Sequence, residues 1–202
     1  MASTTYAHTP TNLTLLWLAI SLPLVTWDTL YVLLRPRTME GGDLHWPLWV
    51  PYKLYGEVDH WYGWKAFNAN SGFTGAQGTL NVVETLMYLY YFFVYYQNAV
   101  SVPVGGSGSG GEKRKVVVGR KAAKAVLVGF GAAVMTLSKT VLYWLNEYYS
   151  GYDAIGHNDL GDLILLWIIP NGAWIVGSAY MTYSLGQDII DNLAGSAVVK
   201  RD

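Results

Sequence analysis

The chain has 202 residues and a net charge of −1; 52% of its residues are apolar and only 13% are charged. Soluble proteins carry roughly 25% charge, so the balance points to an integral membrane protein, and no basic block is long enough to suggest nucleic acid. Cysteine is absent, which excludes disulfides, thiolate catalysis and cysteine-ligated metals.

The first apolar run covers 13–34 and is interrupted only by Asp28 and a few hydroxyls. At a rise of about 1.5 Å per residue it crosses a hydrocarbon core of roughly 30 Å. No basic segment precedes it and no small-residue cleavage site follows, so it reads as a retained span rather than a cleaved signal. Pro23 predicts a kink within it, and Arg35-Pro36-Arg37 ends it with two charges and a helix breaker. A loop of about 40 residues follows, 36–76, too long for a passive connector. It holds Trp46, Trp49, Trp61 and Trp64 with several tyrosines, and is expected to lie along the membrane interface and cap the bundle.

A second span is expected over 77–97, ending in a tyrosine-rich stretch. The segment 102–115 has the composition of a flexible linker, with a Gly/Ser run at 105–111 that reads equally as native or inserted. A third span is expected over 121–149 and a fourth over 162–185, where Pro170 predicts a kink or widened turn. The fold class is therefore all-α: one domain over 1–202, a four-helix membrane bundle with a long interfacial loop between its first two helices. Eight cations (Lys113, Arg114, Lys115, Arg120, Lys121, Lys124, Lys200 and Arg201) fall on the side of the termini. The opposite side has four: Arg35, Arg37, Lys53 and Lys65. The positive-inside rule then places both termini in the cytoplasm.

Asp28, Glu84, Lys139 and Glu147 fall within or at the ends of these spans. An ionisable group at mid-bilayer costs roughly 2.5 to 3.5 kcal/mol even on the lenient insertion scale, so such residues face the bundle interior and often mark function. The alternative is structural: they pair as glue between helices. Lys139 and Glu147 share a face but lie two turns apart, so each needs a partner elsewhere. Asn81 and Glu84 share a helix face, and a carboxyl group buried there without a full counter-charge is expected to hold its proton. A neutral acid in an apolar pocket is what alkene protonation requires. Asn171 and Trp174, beside Pro170, form an amide and an indole pointing the same way, either a pocket wall for a cation or plain helix packing. His8, His45, His60 and His157 show no metal-ligand spacing, although the loop could bring His45 and His60 together. No phosphate loop and no nucleophile elbow is present.

Four stretches together resemble one family. Tyr52-Lys53-Leu54-Tyr55-Gly56-Glu57-Val58-Asp59-His60-Trp61-Tyr62 looks like a W/Y-K-x-Y-x-x-x-D-x-x-Y signature, and Glu84 like a membrane glutamate. Val141-Leu142-Tyr143-Trp144-Leu145-Asn146-Glu147 is similar to V-L-Y-F-L-T-E, and Asn171-Gly172-Ala173-Trp174 to N-A-L-W. These are features of the EXPERA family, which includes the emopamil-binding sterol Δ8–Δ7 isomerases and the sigma-2 receptor.

The resemblance implies four helices around a lipid-facing cavity in the endoplasmic reticulum. It further implies a cationic mechanism in which an acid protonates an alkene, aromatic residues hold the carbocation and a base removes a neighbouring proton. Carried over residue by residue, Glu84, Asn171 and Trp174 match, and Asp28 stands where the isomerase has a glutamate. Glu84 and Asp28 are then assigned to proton transfer, Asn171 to positioning, and Trp174 with the neighbouring tyrosines Tyr88 and Tyr143 to stabilising a cation. Asn81 and Asp59 complete the substrate-binding candidates.

Two departures separate the chain from a housekeeping isomerase. Leu24 stands where the isomerase has a histidine one turn before its carboxylate, and the isomerase's extra N-terminal helix is missing. The P-N-G-x-W motif at 170–174 is closer to EXPERA relatives of fungal specialised metabolism. The expected function is an isomerase or cyclase of a terpenoid, meroterpenoid or sterol-like substrate. No cofactor is needed and no metal site is offered. The other reading is a non-catalytic sterol or lipid binder of the same family, in contact with membrane lipid. Interfaces between family members also admit a homodimer.

Overall fold

A computed structural model describes residues 5–103 and 113–195. The Gly/Ser run at 105–111 lies outside the described residues, as do Lys200 and Arg201. In chain order the elements are β1 (Ala7–His8), α1 (Asn12–Leu33), α2 (Pro51–Val58), α3 (Trp64–Asn68), α4 (Phe73–Asn98), β2 (Val100–Pro103), β3 (Lys113–Val118), α5 (Gly119–Tyr149) and α6 (Leu160–Leu193).

Local chemistry sets several of these boundaries. Thr11 caps α1 by accepting from Thr14 N at 3.0 Å. Pro51 opens α2, where its missing N–H costs nothing. Asp159 caps α6 by accepting from Asp162 N at 2.9 Å. The first turns of α6 widen into a π-helix over Leu163–Ile168, just ahead of Pro170. The wider turn absorbs the hydrogen bond that the proline ring cannot make.

Three helices, Asn12–Leu33, Gly119–Tyr149 and Leu160–Leu193, are long and apolar enough to cross a bilayer, the mark of a multi-pass membrane protein. The fourth long helix, α4, is diluted by Gln77, Asn81, Glu84 and Gln97 and by its run of tyrosines. Leu86, Leu127, Leu165 and Val176 are 62%, 63%, 64% and 71% exposed, so the outer surface of the long helices is apolar. Such a surface suits lipid and not water.

The helices pack in the order α1–α4–α5–α6. Small residues bring them close. Ala132 and Ala133 are fully buried, and a Cβ on Gly129 would lie 3.0 Å from the Tyr91 ring. Leu18, Tyr91, Val126, Met181 and Leu185 fill the centre from all four long helices. Where α1 meets α6, Trp17 lies on Gly177 and packs edge-on against Trp174, with ring centres 5.4 Å apart.

Two expectations are corrected. The chain is not purely α: β3 pairs antiparallel with both β1 and β2, with Val100 opposite Val116 and Pro103 opposite Lys113. The flanks of the expected linker, 102–103 and 113–115, therefore belong to a hairpin. Backbone pairing there satisfies polar groups that a free linker would leave to water. The helix ends also move outward, α4 to Phe73–Asn98 and the last helix to Leu160–Leu193.

The long loop carries α2 and α3 and folds over one end of the bundle. Tyr31 and Tyr52 stack at 3.9 Å, and Trp27 donates to the Leu48 carbonyl at 2.9 Å. The neighbouring Trp46 and Leu48 side chains are turned outward, 79% and 60% exposed.

Candidate active site

A cavity of about 450 Å³ lies between α1, α2, α4, α5 and the bent start of α6. Its size falls in the range of small-molecule sites. Much of its lining is apolar and aromatic, including Trp17, Leu22, Val25, Leu166, Pro170 and Trp174. It also carries a connected polar stripe contributed by α1, α4 and α5.

The stripe begins at Asp28. Tyr52 donates to its Oδ1 at 2.9 Å, and Tyr62 and Asn81 Nδ2 reach its Oδ2 at 3.4 and 3.5 Å. Asn81 Oδ1 accepts a short hydrogen bond from Lys139 Nζ. An ammonium has donors only, so it fixes which end of the amide faces Asp28. Lys139 also lies 2.9 Å from Glu84 Oε2, which accepts from Thr136 at 2.8 Å. Asp28 and Glu84 are thus joined through one amide and one ammonium, and both border the same cavity.

The pair changes one expectation. Glu84 has a full counter-charge in Lys139, so the premise for a proton held for want of one is lost. Asp28 is the carboxyl group whose contacts are all neutral donors among the described residues. Burial above all pushes the Tyr52 and Tyr62 hydroxyls far above the ordinary phenol range, so both remain O–H donors. Tyr55 is raised in the same way, first by burial and then by Asp59.

Asn171 and Trp174 also border the cavity, as do Tyr88 and Tyr143. The Asn171 amide donates to the Trp167 carbonyl at 2.9 Å and approaches the Tyr55 hydroxyl at 3.5 Å. It therefore braces the widened turn as well as facing the cavity.

Asp59 does not border it. This residue is fully buried behind Tyr143 and accepts from the Tyr143 hydroxyl, from Trp167 Nε1 at 2.9 Å and from Trp61 N at 3.0 Å. Burial pushes the Asp59 carboxyl up to about 7 against the pull of those donors. It ties the loop to α5 and α6 and touches no ligand space.

Glu147 accepts from Trp61 Nε1 and serves the same junction. His45 and His60 do not meet: His45 Nδ1 lies 2.9 Å from the Thr38 carbonyl oxygen, and His60 stacks on His157 at 4.0 Å. Among the described residues no cluster of three metal-ligating side chains occurs.

Tyr52, Tyr62, Thr136 and Lys139 belong to the site but were not assigned to it from the sequence, and the same holds for Trp17 and Trp27. Tyr52 and Tyr62 lay within the loop signature, and their spacing from the membrane carboxylates gave no sign that the loop dips into the bundle. Lys139 was legible as an anomaly; its partner on another helix was not.

Compared with protein-family models, with curated proteins and with solved structures, the chain gives no match. The likeness to EXPERA proteins accordingly rests on the four motifs.

Proposed function

We propose that the protein is an EXPERA-like membrane isomerase or cyclase acting on a terpenoid, meroterpenoid or sterol-like substrate. The observation that carries this reading is the pair of carboxyl groups, Asp28 and Glu84, bordering one largely apolar and aromatic cavity and bridged by Asn81 and Lys139.

Asp28 is the acid of this mechanism. Its proton passes to an alkene carbon without breaking an ion pair, because its contacts are two hydroxyls and an amide. The resulting carbocation lies among the faces of Trp17, Trp27 and Trp174 and the cavity tyrosines, near the negative end of the Glu84–Lys139 pair. Glu84 Oε1 is buried with no hydrogen-bond partner among the described residues and is the atom that takes the neighbouring proton. Loss of that proton gives the shifted alkene; attack by a second double bond before it gives a ring. On this reading α4 is the fourth span, both termini face the cytoplasm and the membrane is that of the endoplasmic reticulum.

A second reading is supported by the Glu84–Lys139 pair itself, since a carboxylate already neutralised serves binding as well as chemistry. It makes the protein a non-catalytic sterol or lipid binder. The deciding experiment is expression in a host fed candidate prenylated substrates, with extracted lipids compared between wild type and Asp28→Asn. A product formed by the wild type and missing with the variant supports the enzyme. Substrates that bind and return unchanged support the binder.

A further inference from the structure

Lys139 borders the same cavity, and proton transfer leaves its amine idle. It sits about two-thirds of the way along α5 with a side chain only 10% exposed, whereas the paired lysines of the loop, Lys53 and Lys65, are 52% and 50% exposed. We propose that Lys139 captures a lipophilic aldehyde as a protonated imine, with Glu84 as its counter-ion.

Imine formation at a lysine requires a base for the ammonium proton, room for the aldehyde, and an anion for the iminium product. Glu84 Oε2, 2.9 Å from Nζ, is that base. The proton passes to Glu84, the freed amine adds to the carbonyl carbon, and the C–O bond of the carbinolamine breaks with release of water. The imine nitrogen then takes back the proton. One aldehyde and one ammonium give one iminium and one water, with no oxidant or reductant.

The product places its positive charge where the ammonium was, beside the same carboxylate, so the buried pair survives the reaction. Keeping a buried charge paired is the main electrostatic requirement in such surroundings. Glu84 Oε1, buried and with no hydrogen-bond partner among the described residues, is available to the departing water. Leu22, Val25, Leu166 and Trp174 line the cavity with hydrocarbon and an indole, which selects an isoprenoid or long-chain aldehyde over a polar one. The cavity is that of the proposed isomerase or cyclase, but this chemistry needs neither an alkene nor Asp28.

The test is reductive trapping on the purified protein in detergent. Farnesal is added, then sodium cyanoborohydride, which turns an imine into a stable secondary amine, and tryptic peptides are read by mass spectrometry. The adduct is expected on the peptide carrying Lys139, at least about tenfold above Lys53 or Lys65 at limiting aldehyde. Lys139→Arg keeps the charge and should lose the adduct. In the wild type, an excess of farnesol should suppress labelling at Lys139 and leave Lys53 unchanged, a readout that does not depend on the folding of any variant. No adduct at Lys139, or labelling no greater than at the exposed lysines, overturns the proposal. Trapping requires no turnover, so it succeeds or fails independently of alkene protonation.

Discussion

The Lys139 ammonium lies 2.9 Å from Glu84 Oε2 and holds Asn81 by its carbonyl oxygen, so the amide turns its nitrogen toward Asp28. The two carboxyl groups of the cavity are therefore unequal: one is ion-paired, and the other is met, among the described residues, only by neutral donors. This inequality separates acid from base in the proposed chemistry, in the way that paired carboxyl groups divide their roles elsewhere.

The pair also governs how Glu84 variants behave. Glu84→Gln strands a buried ammonium, a change that typically costs about 3 to 5 kcal/mol. Its thermal unfolding in detergent, followed by tryptophan fluorescence, is expected well below that of the wild type. The double variant Glu84→Gln with Lys139→Met removes both charges and should recover most of the loss. A single variant as stable as the wild type would contradict the buried pair.

Trp174 borders the cavity and is held edge-on by Trp17. Replacing it with leucine keeps apolar bulk but removes the indole face. A desolvated cation–indole contact contributes about 2 kcal/mol, so Trp174→Leu should weaken binding of a lipophilic tertiary amine by roughly tenfold or more. A neutral analogue of the same shape should lose much less. Equal losses for the two ligands would assign Trp174 to packing.

Asp59 gives the fold a pH dependence whose sign is fixed by its environment. The folded-state value of about 7 stands above the ordinary 3.8, so ionisation favours the unfolded chain. The stability this group contributes is fully present below about pH 4, declines as pH rises to about 7, and is level above that. The shift corresponds to roughly 4 kcal/mol across the window. The midpoint of thermal unfolding should accordingly fall between pH 5 and pH 8, and Asp59→Asn should flatten that fall. An identical slope in the variant would remove Asp59 as its source.

Gly177 sets how closely α1 and α6 approach. A Cβ there would meet the Trp17 ring at 2.4 Å, so the indole must shift to admit even alanine. Overpacking of this kind typically costs about 1 to 3 kcal/mol. Gly177→Ala should lower the unfolding midpoint, while Gly172→Ala, with nothing within 4 Å of its added Cβ, should not. Similar effects at both positions would point to helix propensity rather than to the Trp17 contact.

The helices were the most legible part of the sequence, because uninterrupted apolar runs have few alternatives in a charge-poor chain. The first run, ended by Arg35-Pro36-Arg37, differs by one residue at each end from α1. The start of α4 was hidden by Gly72 and Gly75, and the last turns of α6 by polar residues such as Gln187 and Asp188. Those turns are held instead by the N-terminal strand: His8 lies 3.1 Å from Asp188, and Asn192 accepts from Ala7 N. The hairpin was missed because its strands flank a linker-like composition, and pairing register carries no mark in single-strand composition.

Within the site, Asp28, Glu84, Asn171 and Trp174 stood out as polar or amphipathic groups where lipid was expected. The Lys139–Glu84 contact did not, since it depends on how α4 and α5 rotate against each other. Asp59 illustrates the opposite error. It belongs to a motif, yet its three donors make it a buried brace between loop and bundle.

Alkene protonation leaves a solvent-derived hydrogen on carbon, and that mark can be read directly. Purified protein would be incubated in deuterium oxide with prenylated and sterol-like alkenes, and the recovered lipids examined by mass spectrometry. Deuterium is expected in a C–H position of an isomerised or cyclised product with the wild type, and none with Asp28→Asn. Product carrying no carbon-bound deuterium, or deuterated equally by the variant, would contradict alkene protonation by Asp28.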